Sequence, residues 1–162
     1  MKRLWMILAA VTLLCGCGAR ETFETVGDVY AEEPLPIQQE VVYKLPEDDA
    51  AQAVQSEYGQ LYFCDGYEIT MQTMSSGNLD KTLRELTGFG ANELTVIETG
   101  LTEAARYDCV WTAAGEGGDM VGRCVILDDG AYHYCMTAMA SEEKAPSLRQ
   151  AWQELFDSFI LG

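Results

Sequence analysis

Three glycine-containing pairs, each set between short apolar segments, constrain the fold of this chain more than any other feature. Asp65-Gly66, Gly117-Gly118 and Asp129-Gly130 supply glycine where a tight β-hairpin needs a positive φ angle. Because these connections are short, the strands on either side of each pair should run antiparallel. Alternating or short apolar runs predict strands at 40–45, 59–64, 67–73, 94–98, 105–113, 120–127 and 131–139.

Two amphipathic segments predict helices beside these strands. The first begins at Asn78, a residue suited to cap a helix N-terminus, and ends at Gly88. The second begins around Pro146 and Ser147, where Ser147 and Gln150 have the spacing of a capping box. Aromatic residues at helical spacing are more often core than a ligand-facing surface, so the second helix should pack on the sheet. Its apolar stripe consists of Leu148, Trp152, Leu155 and Phe159.

The last strand and helix resemble a known family. The strand 131–139, followed by a helix that finishes in Leu155-Phe156-Asp157-Ser158-Phe159-Ile160-Leu161, is similar to the PsbP-like domains of bacterial lipoproteins. The resemblance covers about residues 59–161 and implies an α+β fold, in which a central antiparallel sheet is flanked by helices. It rests on packing residues, so it implies no activity, cofactor or catalytic residue. Residues 40–162 have the length of a single globular domain.

The first residues resemble the signal of a bacterial lipoprotein. Lys2 and Arg3 precede an apolar run of 11 residues that ends at Leu14, which suits a signal peptide, whereas a membrane span needs about 20. In Leu14-Cys15-Gly16-Cys17, the last cysteine has a small residue before it and a leucine three places back. We therefore expect removal of residues 1–16, lipidation of Cys17 and anchoring at the extracytoplasmic face of the cell membrane. An ordinary cleaved secretory signal is the alternative.

Acidic residues dominate the chain. It has 26 Asp and Glu against 10 Lys and Arg, a formal net charge of -16, and residues 1–16 include two of the basic residues and no acid. Nucleic-acid affinity comes chiefly from Lys and Arg contacts to phosphate, so this balance argues against a nucleic-acid partner. Residues 17–39 combine acids with Pro34 and Pro36, which predicts a flexible acidic tether. A helical turn is the alternative for the part that holds Phe23, Val26, Val29 and Tyr30.

Four cysteines follow the tether, and their positions suggest disulfides. With Asp129-Gly130 as a two-residue loop, Cys124 lies directly opposite Cys135 on adjacent strands. An exported domain can form disulfides, so this is the first candidate pair, with Cys64 and Cys109 as a second. However, counting outward from the loop places Cys124 and Cys135 on a hydrogen-bonded pair, where side chains are farther apart. Buried free thiols are therefore the alternative.

The same sheet face also suggests a metal site. With Gly117-Gly118 as the preceding loop, Cys109 falls opposite Ile126 and shares a face with Cys124, His133 and Cys135. Thiolates and imidazole are the ligands that zinc prefers. Zinc sites normally draw ligand pairs from short loops, however, whereas these four residues lie across flat strands, so the sequence favours no metal.

Motifs for catalysis are absent from the sequence. His133 is the only histidine, and Cys135 lies two residues away on the same strand face, a poor angle for proton transfer. Acidic pairs such as Asp128-Asp129 fall in predicted turns. We therefore expect a non-catalytic module that binds an extracytoplasmic protein or ligand, without a cofactor. Its candidate surface is Tyr62, Tyr67, Tyr132 and Tyr134. The alternating positions of these tyrosines fit packing under a helix equally well. The alternative is an extracytoplasmic enzyme, or a thiol or metal site, built around Cys109, Cys124, His133 and Cys135.

Overall fold

Strands make up about half of the described residues. The computed structural model describes residues 35–46, 51–55, 59–100 and 104–162. All of these except Leu35 belong to the second of two units, which begins at Pro36. The strands are β1 Val41–Val42, β2 Ala51–Gln55, β3 Gly59–Cys64, β4 Tyr67–Ser75, β5 Val96–Gly100, β6 Ala105–Gly115, β7 Gly118–Asp128, β8 Tyr132–Ser141 and β9 Ile160–Leu161. The helices are α1 Leu79–Thr87 and α2 Arg149–Asp157, which follows a 3₁₀ turn at Ala145–Leu148.

Seven strands form one antiparallel sheet in the spatial order β2-β3-β4-β8-β7-β6-β5, and β1 pairs with β9 in a separate two-stranded sheet. The expectation of an α+β, PsbP-like fold with a helix-flanked sheet is wrong, because the protein is mostly β. The two α-helices have nine residues each, whereas β6 and β7 have 11 each. The strand β2, at one edge of the sheet, has no counterpart among the predicted strands.

Turn chemistry and packing set the register of the β3–β4 and β6–β7 hairpins. Asp65-Gly66 is a two-residue turn as predicted, and Gly66 has a φ of +82°. The β6–β7 turn is instead Glu116-Gly117, one residue earlier than predicted. This register places Trp111 opposite Gly122, and a Cβ on Gly122 would lie only 2.3 Å from Trp111 Cζ2. The indole therefore packs over the glycine, which is the one residue type that leaves room for it.

The β7–β8 loop is longer than predicted. Four residues separate the paired residues Asp128 and His133, where a two-residue loop was expected. Asp129 causes the difference, because its Oδ1 accepts hydrogen bonds from the amides of Ala131 and Tyr132, at 2.8 and 2.7 Å. These bonds satisfy loop amides that a tighter hairpin would pair between its strands. In both the β6–β7 and the β7–β8 pair, the observed partner of each residue is two positions away from the predicted one. Each side chain therefore stays on its predicted face of the sheet.

Helix α1 lies against one face of the sheet. Asn78 Oδ1 accepts a hydrogen bond from the Lys81 amide at 3.1 Å, and Gly88 ends the helix with a φ of +83°. Leu83 is fully buried and packs in one cluster with sheet side chains. The buried members of that cluster are Leu83, Cys109, Trp111, Cys124, Ile126 and Cys135.

Helix α2 and the turn before it cover part of the opposite face. The predicted stripe of Leu148, Trp152, Leu155 and Phe159 is buried in one cluster with sheet residues that include Val125, Leu127 and Met136. The ring of Trp152 meets that of Tyr67 edge to face, with centroids 6.2 Å apart. The apolar spacing of the closing helix therefore predicted its packing correctly.

The segment before β1 contacts the sheet. The Gln39 amide donates a hydrogen bond to Tyr134 Oη at 2.7 Å, and the Tyr132 hydroxyl donates to the Pro36 carbonyl at 2.7 Å. Beyond β9, the Gly162 amide donates to the Glu40 carbonyl at 2.9 Å. Within the described ranges, no helix is both long and apolar enough to cross a membrane.

Candidate functional site

A groove of about 930 Å³ lies between α2 and the sheet face beneath it. Its apolar floor includes Ile97 and Val110, which are 62% and 58% exposed although both are large hydrophobic side chains. Ligand sites are typically concave, largely apolar and about 300–1,000 Å³ in volume, so this is the candidate binding site. The helix–sheet groove, as we term it, is lined by Thr95, Ile97, Arg106, Asp108, Cys109, Val110, Val121, Arg123, Ala145, Pro146, Arg149, Trp152 and Asp157.

Two arginines of the groove fasten α2 to the sheet. Arg106 Nε and Arg123 Nη2 both donate to the carboxylate of Asp108, at 2.8 and 3.2 Å. Arg106 also donates to the carbonyls of Phe156 and Phe159, at 3.1 and 3.3 Å, where the end of α2 carries partial negative charge. The Arg123 guanidinium lies 4.6 Å from the centroid of the Phe156 ring. These contacts engage both guanidinium groups within the protein.

Arg149 and Trp152, which both line the groove, each carry an unused hydrogen-bond donor. Arg149 is the exposed first residue of α2, and its side chain has no hydrogen-bonding or ionic partner in the described part of the chain. Trp152 is 6% exposed, and among the described residues its Nε1 is the one buried side-chain nitrogen or oxygen without a partner. Buried polar groups are nearly always paired, so an unpaired indole N–H at this position is unusual.

The groove concentrates positive charge in an acidic protein. Three of the 10 basic residues of the chain line it, Arg106, Arg123 and Arg149, against two acids, Asp108 and Asp157. The lining therefore carries one net positive charge, whereas the whole chain carries -16. Since Asp108 already bridges two of the arginines, Arg149 is the group that remains available to an anion.

The observed registers rearrange the predicted cysteine pairs. Cys124 lies directly opposite Cys109, and Cys135 lies opposite Ile126, so the predicted direct opposition of Cys124 and Cys135 is wrong. No disulfide joins any two of the four described cysteines. The disulfide predicted between Cys124 and Cys135 stays a prediction, now for diagonal neighbours. Cys64 packs against the core cluster that contains Trp152 of α2, whereas Cys109 belongs to the cluster that contains Leu83 of α1. The sheet therefore separates Cys64 from Cys109.

His133 makes other contacts than those of the candidate zinc site. No group of three or more His, Cys, Asp or Glu side chains suited to a metal occurs in residues 35–46, 51–55, 59–100 and 104–162. The imidazole Nδ1 is 2.7 Å from Thr82 Oγ1, and Nε2 is 3.3 Å from Asp128 Oδ2. A carboxylate can only accept, so in the neutral ring Nε2 carries the proton and Thr82 donates to Nδ1. Both ring nitrogens are therefore engaged away from the thiols.

The Thr82–His133–Asp128 chain was missed by sequence reasoning. A hydroxyl, an imidazole and a carboxylate in this order also occur in nucleophilic catalysts. Here Thr82 is 4% and His133 1% exposed, and neither lines the helix–sheet groove or two further cavities of about 800 and 310 Å³. Ser76 Oγ extends the chain by donating to Asp128 at 2.9 Å. The network ties α1 to β7 and β8 within the core.

The other residues singled out from the sequence lie in the core, in the β7–β8 loop or outside the described residues. Tyr62, Tyr67 and Tyr134, predicted as a binding surface, are at most 8% exposed and belong to the core. Asp128 and Asp129 accept backbone hydrogen bonds in the loop, as expected of turn residues. Cys17, the predicted signal peptide 1–16 and tether residues 17–34 lie outside the described residues.

Comparisons with known proteins give the fold and no family. No protein-family model matches the sequence, and no curated protein is similar to it. A crystal structure from Bacteroides thetaiotaomicron is 10% identical with a TM-score of 0.52 and matches 75% of this chain. The match spans 45% of that longer protein. This likeness shows a shared fold alone.

Two further solved structures align over most of their own length. PA94, a protein of unknown function from Pseudomonas aeruginosa, is 15% identical over 80% of this chain and 88% of its own, with a TM-score of 0.48. LpqN, involved in cell envelope biogenesis of Mycobacterium tuberculosis, is 13% identical over 77% and 86%, with a TM-score of 0.47. At sequence level the PsbP-like resemblance has no support among these comparisons.

Proposed function

We propose that this chain is an extracytoplasmic, non-catalytic binding module, anchored to the membrane through a lipid on Cys17, and that its helix–sheet groove holds an anionic amphiphile. The observation that carries the ligand class is the pair of unused donors, Arg149 and the indole N–H of Trp152, on residues that line a groove with an apolar floor. The anchor is supported by the leader pattern that ends at Cys17. Nucleic acid is not part of this proposal, because the chain is strongly acidic.

The groove suits a ligand with an apolar body and one anionic head. Ile97, Val110 and Val121 offer apolar surface that water now covers in part, and covering it contributes about 25 cal/mol per Å². Arg149 can form a charge-assisted hydrogen bond with a carboxylate, which contributes about 1.5–3 kcal/mol. An acceptor that reaches Trp152 Nε1 would also satisfy the one buried donor left unpaired among the described residues.

Tryptophan fluorescence can test the ligand class. The protein without residues 1–17 keeps Trp111 and Trp152, so a Trp111→Phe variant reports from the groove alone. We expect saturable binding of a medium-chain fatty acid and weaker binding of the primary alcohol of equal length. Arg149→Gln should weaken fatty-acid binding about 10- to 100-fold and leave the alcohol nearly unchanged. Lys81→Gln, which removes a positive charge on α1, is the matched control.

Two results would contradict the proposed ligand. One is the absence of saturable binding by the fatty acid. The other is equal loss of fatty-acid and alcohol binding in Arg149→Gln, since a lost charge contact should affect the anion only. Val110→Asp, which places a carboxylate on the apolar floor, should abolish binding of both ligands if they occupy the groove.

Membrane fractionation tests the anchor separately. Cys17→Ser should leave the leader uncut or release the protein from the membrane fraction, because the thiol that accepts the lipid is missing. Cys15→Ser is the matched control and should change neither processing nor location. A Cys17→Ser protein that is still processed and still membrane-bound would refute the lipid anchor.

A further inference from the structure

We propose that Cys109 and Cys124 form a cross-strand disulfide when this domain folds in the presence of an oxidant. The two residues lie directly opposite each other on β6 and β7. The two-residue turn closes on the pair Gly115 and Gly118, and equal steps along both strands lead to Cys109 and Cys124. They are therefore a hydrogen-bonded pair, whose side chains are farther apart than those of a non-hydrogen-bonded pair, but the two thiols are in hydrogen-bonding contact with each other. The Cα atoms of such a pair lie about 5.5 Å apart. That separation falls within the range of about 4.4–6.8 Å found across disulfides.

The other cysteines are placed less well. Cys135 lies opposite Ile126, so it is a diagonal neighbour of Cys124. Diagonal neighbours lie about 7–8 Å apart, at or beyond the limit of about 7 Å for a disulfide. Cys64 packs with the cluster on the opposite face of the sheet. Geometry therefore selects one pair among the four described thiols.

The two thiols differ in reactivity. Hydrogen bonding to Cys124 lowers the pKa of the Cys109 thiol from its ordinary value. The hydrogen bond to Cys109 and burial raise the pKa of Cys124 well above its ordinary value. The hydrogen bond between the two thiols belongs to the β6–β7 hairpin itself, so it acts before α1 covers the pair. Since the thiolate is the nucleophile, Cys109 is the residue that attacks first.

The oxidant is an external disulfide, either of a thiol–disulfide oxidoreductase or of glutathione. The Cys109 thiolate attacks one of its sulfurs, forms a mixed disulfide and releases one thiolate. Deprotonated Cys124 then attacks Cys109 Sγ, closes the new S–S bond and releases the second thiolate. The protons of both cysteines pass to the released thiolates. Two cysteines are thereby oxidised, and the external disulfide is reduced to two thiols.

Burial of the two cysteines in the folded domain determines the stage at which this exchange takes place. Cys109 is 4% and Cys124 0% exposed, under side chains that include Leu83 of α1. An external disulfide therefore reaches the pair before α1 packs on the hairpin, that is, during folding. Once formed, the bond is shielded from reductants in the same way.

Peptide mapping after oxidative refolding tests the pairing. The lipidated chain, purified from membranes of an exporting host, is reduced, unfolded and refolded in reduced and oxidised glutathione, then unfolded again in the presence of excess alkylating agent. Cleavage after Lys and Arg and before Asp puts Cys109, Cys124 and Cys135 on separate peptides, 108–118, 124–127 and 129–144. We expect peptide 108–118 linked to 124–127, about 2 Da lighter than the sum of the two, with Cys64 and Cys135 alkylated.

Variants make the assignment specific. Cys135→Ala should keep the bridge, and Cys109→Ala should leave Cys124 alkylated. Four alkylated cysteines in the refolded wild-type protein would overturn the proposal. So would a bridge to Cys135 or Cys64, or a glutathione adduct on Cys109 beside an alkylated Cys124. The peptide map of the refolded wild-type protein alone tests the Cys109–Cys124 bond. The test therefore stands even where a variant fails to fold.

Discussion

Gly122 should tolerate no side chain while Trp111 is present. A Cβ built on Gly122 would lie 2.3, 2.4 and 2.6 Å from Cζ2, Cε2 and Cη2 of the Trp111 indole. Trp111 is only 5% exposed, so its ring has little room to move aside. Overpacking of this kind costs about 1–3 kcal/mol, and we expect Gly122→Ala to lower the free energy of unfolding by that amount.

The sign of the effect should reverse when the indole is removed. In a Trp111→Leu background the new methyl group meets no ring, and alanine is better than glycine within a strand by about 0.5–1 kcal/mol. Gly122→Ala should therefore stabilise the Trp111→Leu protein by about that amount. Gly117→Ala is the matched control, because a Cβ there meets no atom within 4 Å and the residue has no positive φ.

Urea unfolding followed by far-ultraviolet circular dichroism measures these changes without using tryptophan fluorescence. With a slope of about 2 kcal/mol per M, a loss of about 2 kcal/mol moves the midpoint by roughly 1 M. Equal effects of Gly122→Ala in both backgrounds would refute the steric explanation. A Gly122→Ala protein as stable as wild type would show that the Trp111 ring does not lie over this glycine.

Two further predictions concern hydrogen bonds. Partial burial raises the pKa of Asp129, but hydrogen bonds from Tyr132, Ala131 and other donors outweigh it, so the pKa is below its usual value. The ionised Asp129 carboxylate therefore stabilises the folded protein above about pH 4, and this stabilisation is lost as the pH falls further. Asp129→Asn should lower the free energy of unfolding by about 1–3 kcal/mol at pH 7 and by less in acid. Urea unfolding at several pH values checks this, with exposed Asp119→Asn as control; a pH-independent difference would contradict it. Thr82→Val should cost about 1–3 kcal/mol in urea unfolding because it leaves the buried His133 Nδ1 without a donor, whereas Thr82→Ser should cost less; equal losses would assign the effect to packing.

Local chemistry accounts for what the sequence predicted correctly. Asp65-Gly66 makes the expected two-residue turn, and Asn78 and Gly88 cap α1, because each depends on residues within a few positions. The β7–β8 register failed because the Asp129 carboxylate captures two loop amides, which a dipeptide rule for turns does not include. The predicted α+β fold class was wrong because two helical segments were taken to form helical layers on the sheet, although each α-helix has only nine residues.

Contacts between distant residues account for what the sequence did not predict. The helix–sheet groove exists because Arg106 on β6 holds the end of α2 at Phe156, 50 residues away along the chain. Thr82 and His133 are 51 residues apart, and no periodic pattern links them. The unused donors Arg149 and Trp152 resemble ordinary helix residues in the sequence. Only the position of α2 on the sheet makes them part of a cavity.

The pairing of β1 with β9 has a consequence for assembly at the membrane. Val41 pairs with Leu161, so the strand nearest the predicted anchor is completed by a strand that follows the last helix. Under the proposed export from the amino-terminal end, β1 would reach the far side of the membrane long before β9. The large sheet can begin to form in that interval, but the two-stranded sheet cannot. Final closure of the domain should therefore coincide with release of the chain from the export machinery.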